Sequence, residues 1–67
     1  MEYEEWLRPI CGGRAHRFLV KFRQPSMDED VEIIWVAGPG NEDIFDILDD
    51  RASEAVYEAA RKWLELR

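Results

Sequence analysis

The sequence predicts one small α+β domain of 67 residues, in which a β-hairpin packs against a long C-terminal helix. Two runs of alternating apolar residues, near 18–23 and 31–37, flank a short polar loop, as in an antiparallel hairpin. Residues 42–67 contain neither glycine nor proline, and their apolar residues recur with helical spacing. A hydrophobic fraction of 46% with three tryptophans indicates a packed core rather than disorder.

The first element is predicted to be a short N-terminal helix. The apolar residues at positions i, i+3, i+4 and i+7 are Tyr3, Trp6, Leu7 and Ile10. This spacing places them on one face of a helix. Pro9, followed by Gly12 and Gly13, should end that helix after about two turns.

The second element is the hairpin, whose alternation divides each strand into two faces. The face predicted to meet the core carries Phe18, Val20, Phe22, Val31, Ile33, Trp35 and Ala37. Leu19, Ile34 and Val36 then form a small apolar patch on the opposite face. Either the N-terminal helix or a second copy of the chain would cover that patch.

The third element is the C-terminal helix, with Asn41 as its expected N-cap after the turn Gly38–Gly40. Its predicted apolar face carries Ile44, Leu48, Ala52, Ala55, Val56, Ala59, Trp63 and Leu66. A break near Asp49 and Asp50 or near Ser53 would give two helices instead, and a third strand around residues 43–48 is a further alternative. The residues expected to be largely buried are Phe18, Val20, Phe22, Ile33, Trp35, Val56 and Trp63.

The charges are segregated along the chain, whose net charge is −6. Residues 6–27 carry five bases and no acid, whereas residues 28–50 carry nine acids and no base. Such a block of acids argues against direct binding of nucleic acid, which needs clustered lysine and arginine. The longest apolar run, residues 33–37, is too short to cross a membrane. A single cysteine, Cys11, fits a reduced, cytoplasmic setting.

No motif in the sequence indicates an enzyme, a cofactor or a metal site. His16 is the only histidine, and no catalytic motif surrounds it. Asp28, Asp30 and Glu32 alternate, but they lack the glycine and glutamate spacing of a calcium-binding EF-hand loop. The turn before the last helix has no lysine for a phosphate, and acids occupy the helix N-terminus that a phosphate would need.

The candidate binding surface is acidic. Residues 41–54 hold six carboxylates and one base, Arg51. On a continuous helix, Asp43, Asp46, Asp50 and Glu54 would line one face, with Ile47 at its centre and Tyr57 beside it. An apolar anchor ringed by carboxylates is typical of an interface hot spot. The loop acids Asp28, Glu29 and Asp30 would extend the surface, and a merely solvated face is the alternative.

Three functional hypotheses follow from this pattern. The first is a non-enzymatic inhibitor that binds a basic protein surface and mimics nucleic acid, because the acids on such a helix would recur about every 5–6 Å. In size and charge the chain resembles the small acidic inhibitors made by phages, including anti-CRISPR proteins. The second is an antitoxin that neutralises a basic toxin. The third is a structural homo-oligomer.

The antitoxin hypothesis rests on the last thirty residues, 38–67. Glu54, Ala55 and Ala59 match the "EAxxxA" run in the helix of HicB-type antitoxins. The stretch resembles the strand–turn–helix of that family, although the glycine usual before the helix is absent. The resemblance implies that the partner is a toxin protein.

Overall fold

The computed structural model describes residues 2–67 and confirms the α+β class, with a three-stranded antiparallel sheet and one C-terminal helix. The elements are β1 (Glu2–Leu7), β2 (Ile10–Cys11), β3 (Arg14–Ala15), β4 (Phe18–Arg23), β5 (Glu32–Ala37), a 3₁₀ turn (Phe45–Ile47) and α1 (Asp50–Glu65). Strands β1, β4 and β5 form an antiparallel sheet in that order, with β4 in the centre. Strands β2 and β3 form a separate two-stranded ribbon.

The predicted N-terminal helix is wrong, because this segment is the edge strand β1. Tyr3 and Leu7 face the core and pair with Phe22 and Phe18 of β4. The same residues satisfy a helical spacing, so their periodicity did not distinguish the two structures. An isolated two-turn helix is marginal in water, whereas six strand residues gain a complete ladder with β4.

The glycine pair predicted to stop a helix is instead the turn that joins β2 to β3. Gly12 and Gly13 have φ values of 63° and 77°, between the paired residues Cys11 and Arg14. Two successive residues with positive φ are the requirement of a two-residue type I′ hairpin turn. An added Cβ would meet nothing within 4 Å at either position, so backbone conformation and not space demands glycine here.

The predicted β4–β5 hairpin is confirmed, but a β-bulge changes its faces. Val20 pairs with Val36 and Phe22 pairs with Ile33, so Ile34 is an extra residue without a partner on β4. The bulge reverses the alternation within β5. Val36, predicted to face outward, is therefore fully buried in the core.

The prediction that Trp35 belongs to the core is wrong for the same reason. Trp35 pairs with Lys21, whose neighbours Val20 and Phe22 point into the core. Because side chains alternate along a strand, Lys21 and Trp35 lie on the outer face of the sheet. Trp35 is half-buried there and has no place in the core cluster.

The C-terminal helix begins at Asp50, eight residues later than Glu42, where the uninterrupted pattern begins. Its N-cap is Asp49, whose Oδ1 accepts a hydrogen bond of 2.7 Å from the amide of Ala52. Asn41, the predicted cap, lies in a turn with a φ of 65° and donates its amide to the carbonyl of Gly38 at 3.0 Å. The break near Asp49 is therefore present, but the residues before it form a 3₁₀ turn and not a second α-helix.

Residues 42–49 form a connector that is tied to the free edge of β5. The amide of Ile44 donates to the carbonyl of Val36 at 3.1 Å, and Ala37 and Asp43 form an isolated β-bridge. The suggested third strand around residues 43–48 is reduced to this single bridge, followed by the 3₁₀ turn.

The core lies between the sheet and α1. Its buried members are Leu7, Val20, Phe22, Val31, Val36, Val56 and Ala60. Trp63 packs at the edge of the core, with ring centroids 5.0 Å from Tyr3 and 5.5 Å from Phe22. Among the predicted core residues, Val20, Phe22 and Val56 are fully buried, whereas Phe18, Ile33 and Trp63 are half-buried against that core. Leu66, expected on the apolar face of the helix, is 78% exposed.

Candidate functional site

The acidic segment, residues 41–54, exposes its carboxylates to solvent, and it also exposes two large apolar side chains. Ile47 is 78% exposed and Phe45 is 39% exposed, both on the 3₁₀ turn. The turn is held by hydrogen bonds close to it, since the amide of Phe45 donates to Asp43 Oδ1 at 3.1 Å and that of Ile47 donates to the carbonyl of Ile44 at 3.1 Å. This segment therefore presents an apolar projection with acids before and after it.

The prediction that four acids line one face of a continuous helix is wrong. Asp43 and Asp46 precede the helix, and only Asp50 and Glu54 lie on α1. Together with Tyr57 they share one side of α1, at positions i, i+4 and i+7. All four acids are exposed, as is Ile47, so the residues remain available to a partner without the even spacing of a continuous helix.

The loop acids Asp28, Glu29 and Asp30 are exposed in the connection between β4 and β5. The hydroxyl of Tyr57 donates a hydrogen bond to the carboxylate of Asp30. This bond holds the pKa of Asp30 below its usual value and raises the pKa of Tyr57. Tyr57 thus joins the loop acids to the helix that carries Asp50 and Glu54.

Most acids of the candidate site form no ion pair within residues 2–67. The ion pairs found within residues 2–67 are Lys21–Glu2 at 4.0 Å, Arg23–Glu32 at 2.7 Å and Arg61–Asp30 at 3.6 Å. Of the predicted site residues, Asp30 alone takes part in one of these pairs. The other carboxylates of the site are exposed to solvent without neutralisation.

A groove lies between the β4–β5 loop and the last turns of α1. Its volume is about 430 Å³, and its walls include Met27, Asp28, Val31, Arg61 and Leu64. Val31 and Leu64 give it an apolar floor, while acids of the loop line its rim. A groove of this kind suits the long, partly apolar side chain of a lysine or arginine.

The sequence did not predict the exposure of two apolar side chains near the site, Phe45 and Met27, which are 39% and 94% exposed. On a continuous helix from Glu42, Phe45 would lie at the edge of the apolar face. The available signal was Asp49, a capping residue as good as Asn41. Met27, between the loop proline and three acids, carried no periodic signal at all.

The residues considered for catalysis and metal binding are not brought together. The ring of His16 stacks on Phe18 with centroids 5.7 Å apart, beside a small open pocket whose walls also include Arg8 and Arg17. Within residues 2–67, the structure contains no cluster of three or more histidine, cysteine, aspartate or glutamate side chains arranged to hold a metal ion.

Comparison with protein-family models, curated proteins and solved structures finds no match to the chain. No helix in the described part of the chain is long and apolar enough to cross a membrane. The function therefore has to be inferred from the surface that the fold displays.

Proposed function

We propose that the chain is a non-enzymatic protein that binds a basic surface on another protein. The observation that carries the proposal is the 3₁₀ turn, where Ile47 is 78% exposed among carboxylates that take part in none of the ion pairs within residues 2–67. A large apolar side chain in water is unfavourable for an isolated domain. Surrounded by acids, it is suited to insert between the bases of a partner.

The charge distribution supports a basic partner. With a net charge of −6 and most acids outside the ion pairs, the acidic segment and the loop acids generate a negative field around them. Such a field accelerates encounter with a positive surface, and apolar anchors then slow dissociation. Phe45 and Ile47 would serve as the anchors.

The sharper form of the proposal is an inhibitor that occupies the nucleic-acid site of a DNA- or RNA-binding protein. Sites of that kind concentrate lysine and arginine. Because Asp43 and Asp46 are not on α1, the mimicry rests on charge density and not on a regular spacing of carboxylates. The groove beside Asp28 would take one basic side chain of the partner.

An antitoxin for a basic toxin is the alternative with the same surface chemistry. Ala55 and Ala59, which carry the resemblance to HicB-type antitoxins, are half-buried on the helix, and Ala59 packs against the core. These alanines therefore support packing of α1 and give no specific support for a toxin partner.

The test compares two charge reversals of equal size. Asp46→Lys changes an exposed acid on the 3₁₀ turn, and Glu4→Lys changes an exposed acid of β1, at the opposite edge of the sheet. Immobilised chains are used to capture proteins from a nuclease-treated lysate, and the captured protein is purified for binding measurements. We expect Asp46→Lys to weaken binding by about tenfold or more, and Glu4→Lys to change it about twofold at most.

Two results would contradict the proposal. One is equal loss of binding in both variants, which would indicate only a nonspecific attraction to negative charge. The other is direct retention of the purified chain on DNA or RNA at near-physiological salt. The inhibitor form further requires that the chain displace nucleic acid from its partner, whereas a toxin partner would lose its toxicity without such competition.

A further inference from the structure

The outer face of the sheet, opposite α1, carries an apolar patch made of Trp6, Leu19, Ile34 and Trp35. Trp6 is 42% exposed, Ile34 is 36% exposed, and Leu19 and Trp35 are half-buried. None of the four belongs to the core cluster or packs against it. In an antiparallel sheet with one solvated face, these positions are normally polar.

The strand register makes this outer patch continuous. Trp6 on β1 pairs with Leu19 on β4, and Trp35 on β5 pairs with Lys21 on β4. Leu19 and Lys21 are two residues apart on the central strand, so they are neighbours on the same face. The two tryptophans therefore flank β4 from opposite edges of the sheet.

The charges around the outer patch are nearly balanced, unlike those of the rest of the molecule. The outer face carries four acids, Glu2, Glu4, Glu32 and Asp43, and three bases, Arg17, Lys21 and Arg23. Lys21 lies 4.0 Å from Glu2, and Arg23 lies 2.7 Å from Glu32. Most of the net charge of −6 is consequently carried by other parts of the molecule.

We propose that the outer patch binds the same patch on a second copy of the chain. Two strongly acidic molecules repel each other, and the repulsion is smallest where they meet through a nearly neutral face. A basic partner would find only a weak negative field there, and the bases Lys21 and Arg23 already pair with acids instead of being free for phosphates. The patch is also rich in the residue types that dominate interfaces, with Arg17 stacked 4.6 Å over Trp6.

The geometry is compatible with a two-fold axis parallel to β4. Such an axis exchanges the two edges of the sheet, so β1 of one copy faces β5 of the other. Trp6 of each copy then lies close to Trp35 of the other copy. Each α1 remains on the outside of the pair, and Asp50 and Glu54 stay exposed. The dimer would thus present two acidic surfaces, which goes beyond the single binding surface proposed above.

The interface is small, which sets the expected affinity. Three strands of six residues cover a face of roughly 14 by 20 Å. Interfaces of this size are typical of weak or transient association. We therefore expect a dissociation constant on the order of 10 µM, and a monomer at high dilution.

The test is sedimentation velocity of the full chain from about 5 to about 500 µM, where the wild type should shift from monomer to dimer. Trp6→Glu and Trp35→Glu should each weaken the dimer by about tenfold or more. A matched control, Met27→Glu, adds the same charge at an exposed apolar residue in the β4–β5 loop and should leave the dimer unchanged. Circular dichroism verifies that each variant is folded.

Three results overturn the proposal. They are a wild-type monomer at the highest concentration, a dimer insensitive to both tryptophan variants, and equal weakening by Met27→Glu. Retention of a labelled oligothymidine that is lost in Trp6→Glu would likewise overturn it, in favour of a nucleic-acid partner. If the glutamate variants do not fold, quenching of wild-type tryptophan fluorescence by acrylamide tests the dimer instead. The dimer requires that quenching fall as the protein concentration rises. Quenching that stays constant rejects the dimer.

Discussion

The hydroxyl of Tyr57 and the carboxylate of Asp30 form a hydrogen bond that links α1 to the β4–β5 loop. Arg61, one turn after Tyr57, lies 3.6 Å from the same carboxylate and 5.7 Å from the Tyr57 ring. Residues 27 positions apart in the chain are thereby held together, and with them the two acidic stretches.

Tyr57→Phe should lower the free energy of unfolding at neutral pH, and the effect should disappear in acid. The bond lowers the pKa of Asp30 in the folded state, so its contribution is present above the unfolded pKa of about 4 and is lost as pH falls through the folded value. The pKa of Tyr57 is raised, so the contribution is also lost at the alkaline end, as pH rises through the folded value of the tyrosine. Urea unfolding of both proteins from acid to neutral pH measures the difference.

Asp30→Asn provides the control for that experiment. If the bond is responsible, Tyr57→Phe should have a much smaller effect in the Asp30→Asn background, as a double-mutant cycle shows. An effect of Tyr57→Phe that does not depend on pH would assign the loss to packing of the ring instead.

Trp63→Ala should destabilise the domain far more than Trp35→Ala. Trp63 packs on Tyr3 and Phe22 beside the core, so its loss should cost about 3–5 kcal/mol. Trp35 lies on the outer face, and in dilute solution its loss should cost about 1 kcal/mol or less. Urea midpoints at low micromolar concentration make the comparison. Equal losses would show that Trp35 contributes to the core and that the bulge at Ile34 is misplaced.

Asp49→Ala should lower stability by about 1 kcal/mol, because it removes the acceptor for the amide of Ala52. The matched control is Asp46→Ala, which removes an exposed carboxylate without a described hydrogen bond and should change stability by less than about 0.5 kcal/mol. Thermal unfolding of the two variants tests where the helix begins. A larger loss from Asn41→Ala than from Asp49→Ala would favour a helix that begins near Glu42.

Ile47→Ala and Asp46→Lys should weaken binding to the basic partner in different ways. Asp46→Lys should mainly lower the association rate, and its effect should shrink as salt rises. Ile47→Ala should mainly raise the dissociation rate, with little salt dependence. Because Ile47 is 78% exposed, its truncation should leave the unfolding midpoint nearly unchanged. Surface plasmon resonance at two salt concentrations separates the two effects. A drop in stability with Ile47→Ala would reject its role as an exposed anchor.

The sequence was most informative where local and tertiary preferences agree. Val20 and Phe22 alternate in a strand bounded by turn residues, so the β4–β5 hairpin could be predicted. The bulge at Ile34 could not, because an extra residue in a ladder is defined by the partner strand and leaves no fixed sequence signal. That single residue moved Trp35 out of the predicted core and Val36 into it.

At two places the sequence is compatible with two structures, and tertiary contacts select one of them. Tyr3 and Leu7 fit the apolar spacing of a helix and also that of a strand, and their pairing with β4 makes this segment a strand. Asn41 and Asp49 are both good helix caps. The bridge between Ala37 and Asp43 extends the chain along β5, so a helix does not begin after Asn41. For the candidate site, the acids were identifiable from composition, whereas the exposure of Phe45 and Ile47 depends on where the helix starts.

The connector along β5 also protects the domain from self-polymerisation. A free edge strand exposes unpaired amides and carbonyls, which can template the addition of further strands. The amide of Ile44 donates to the carbonyl of Val36, and the amide of Gly38 donates to the carbonyl of Glu42. These backbone groups in this half of the edge are therefore not available to another strand. The bulge at Ile34 disrupts the other half, and β1 carries three glutamates along the opposite edge. Deleting residues 42–44 should therefore promote fibrillar aggregation rather than merely lower the stability of the monomer.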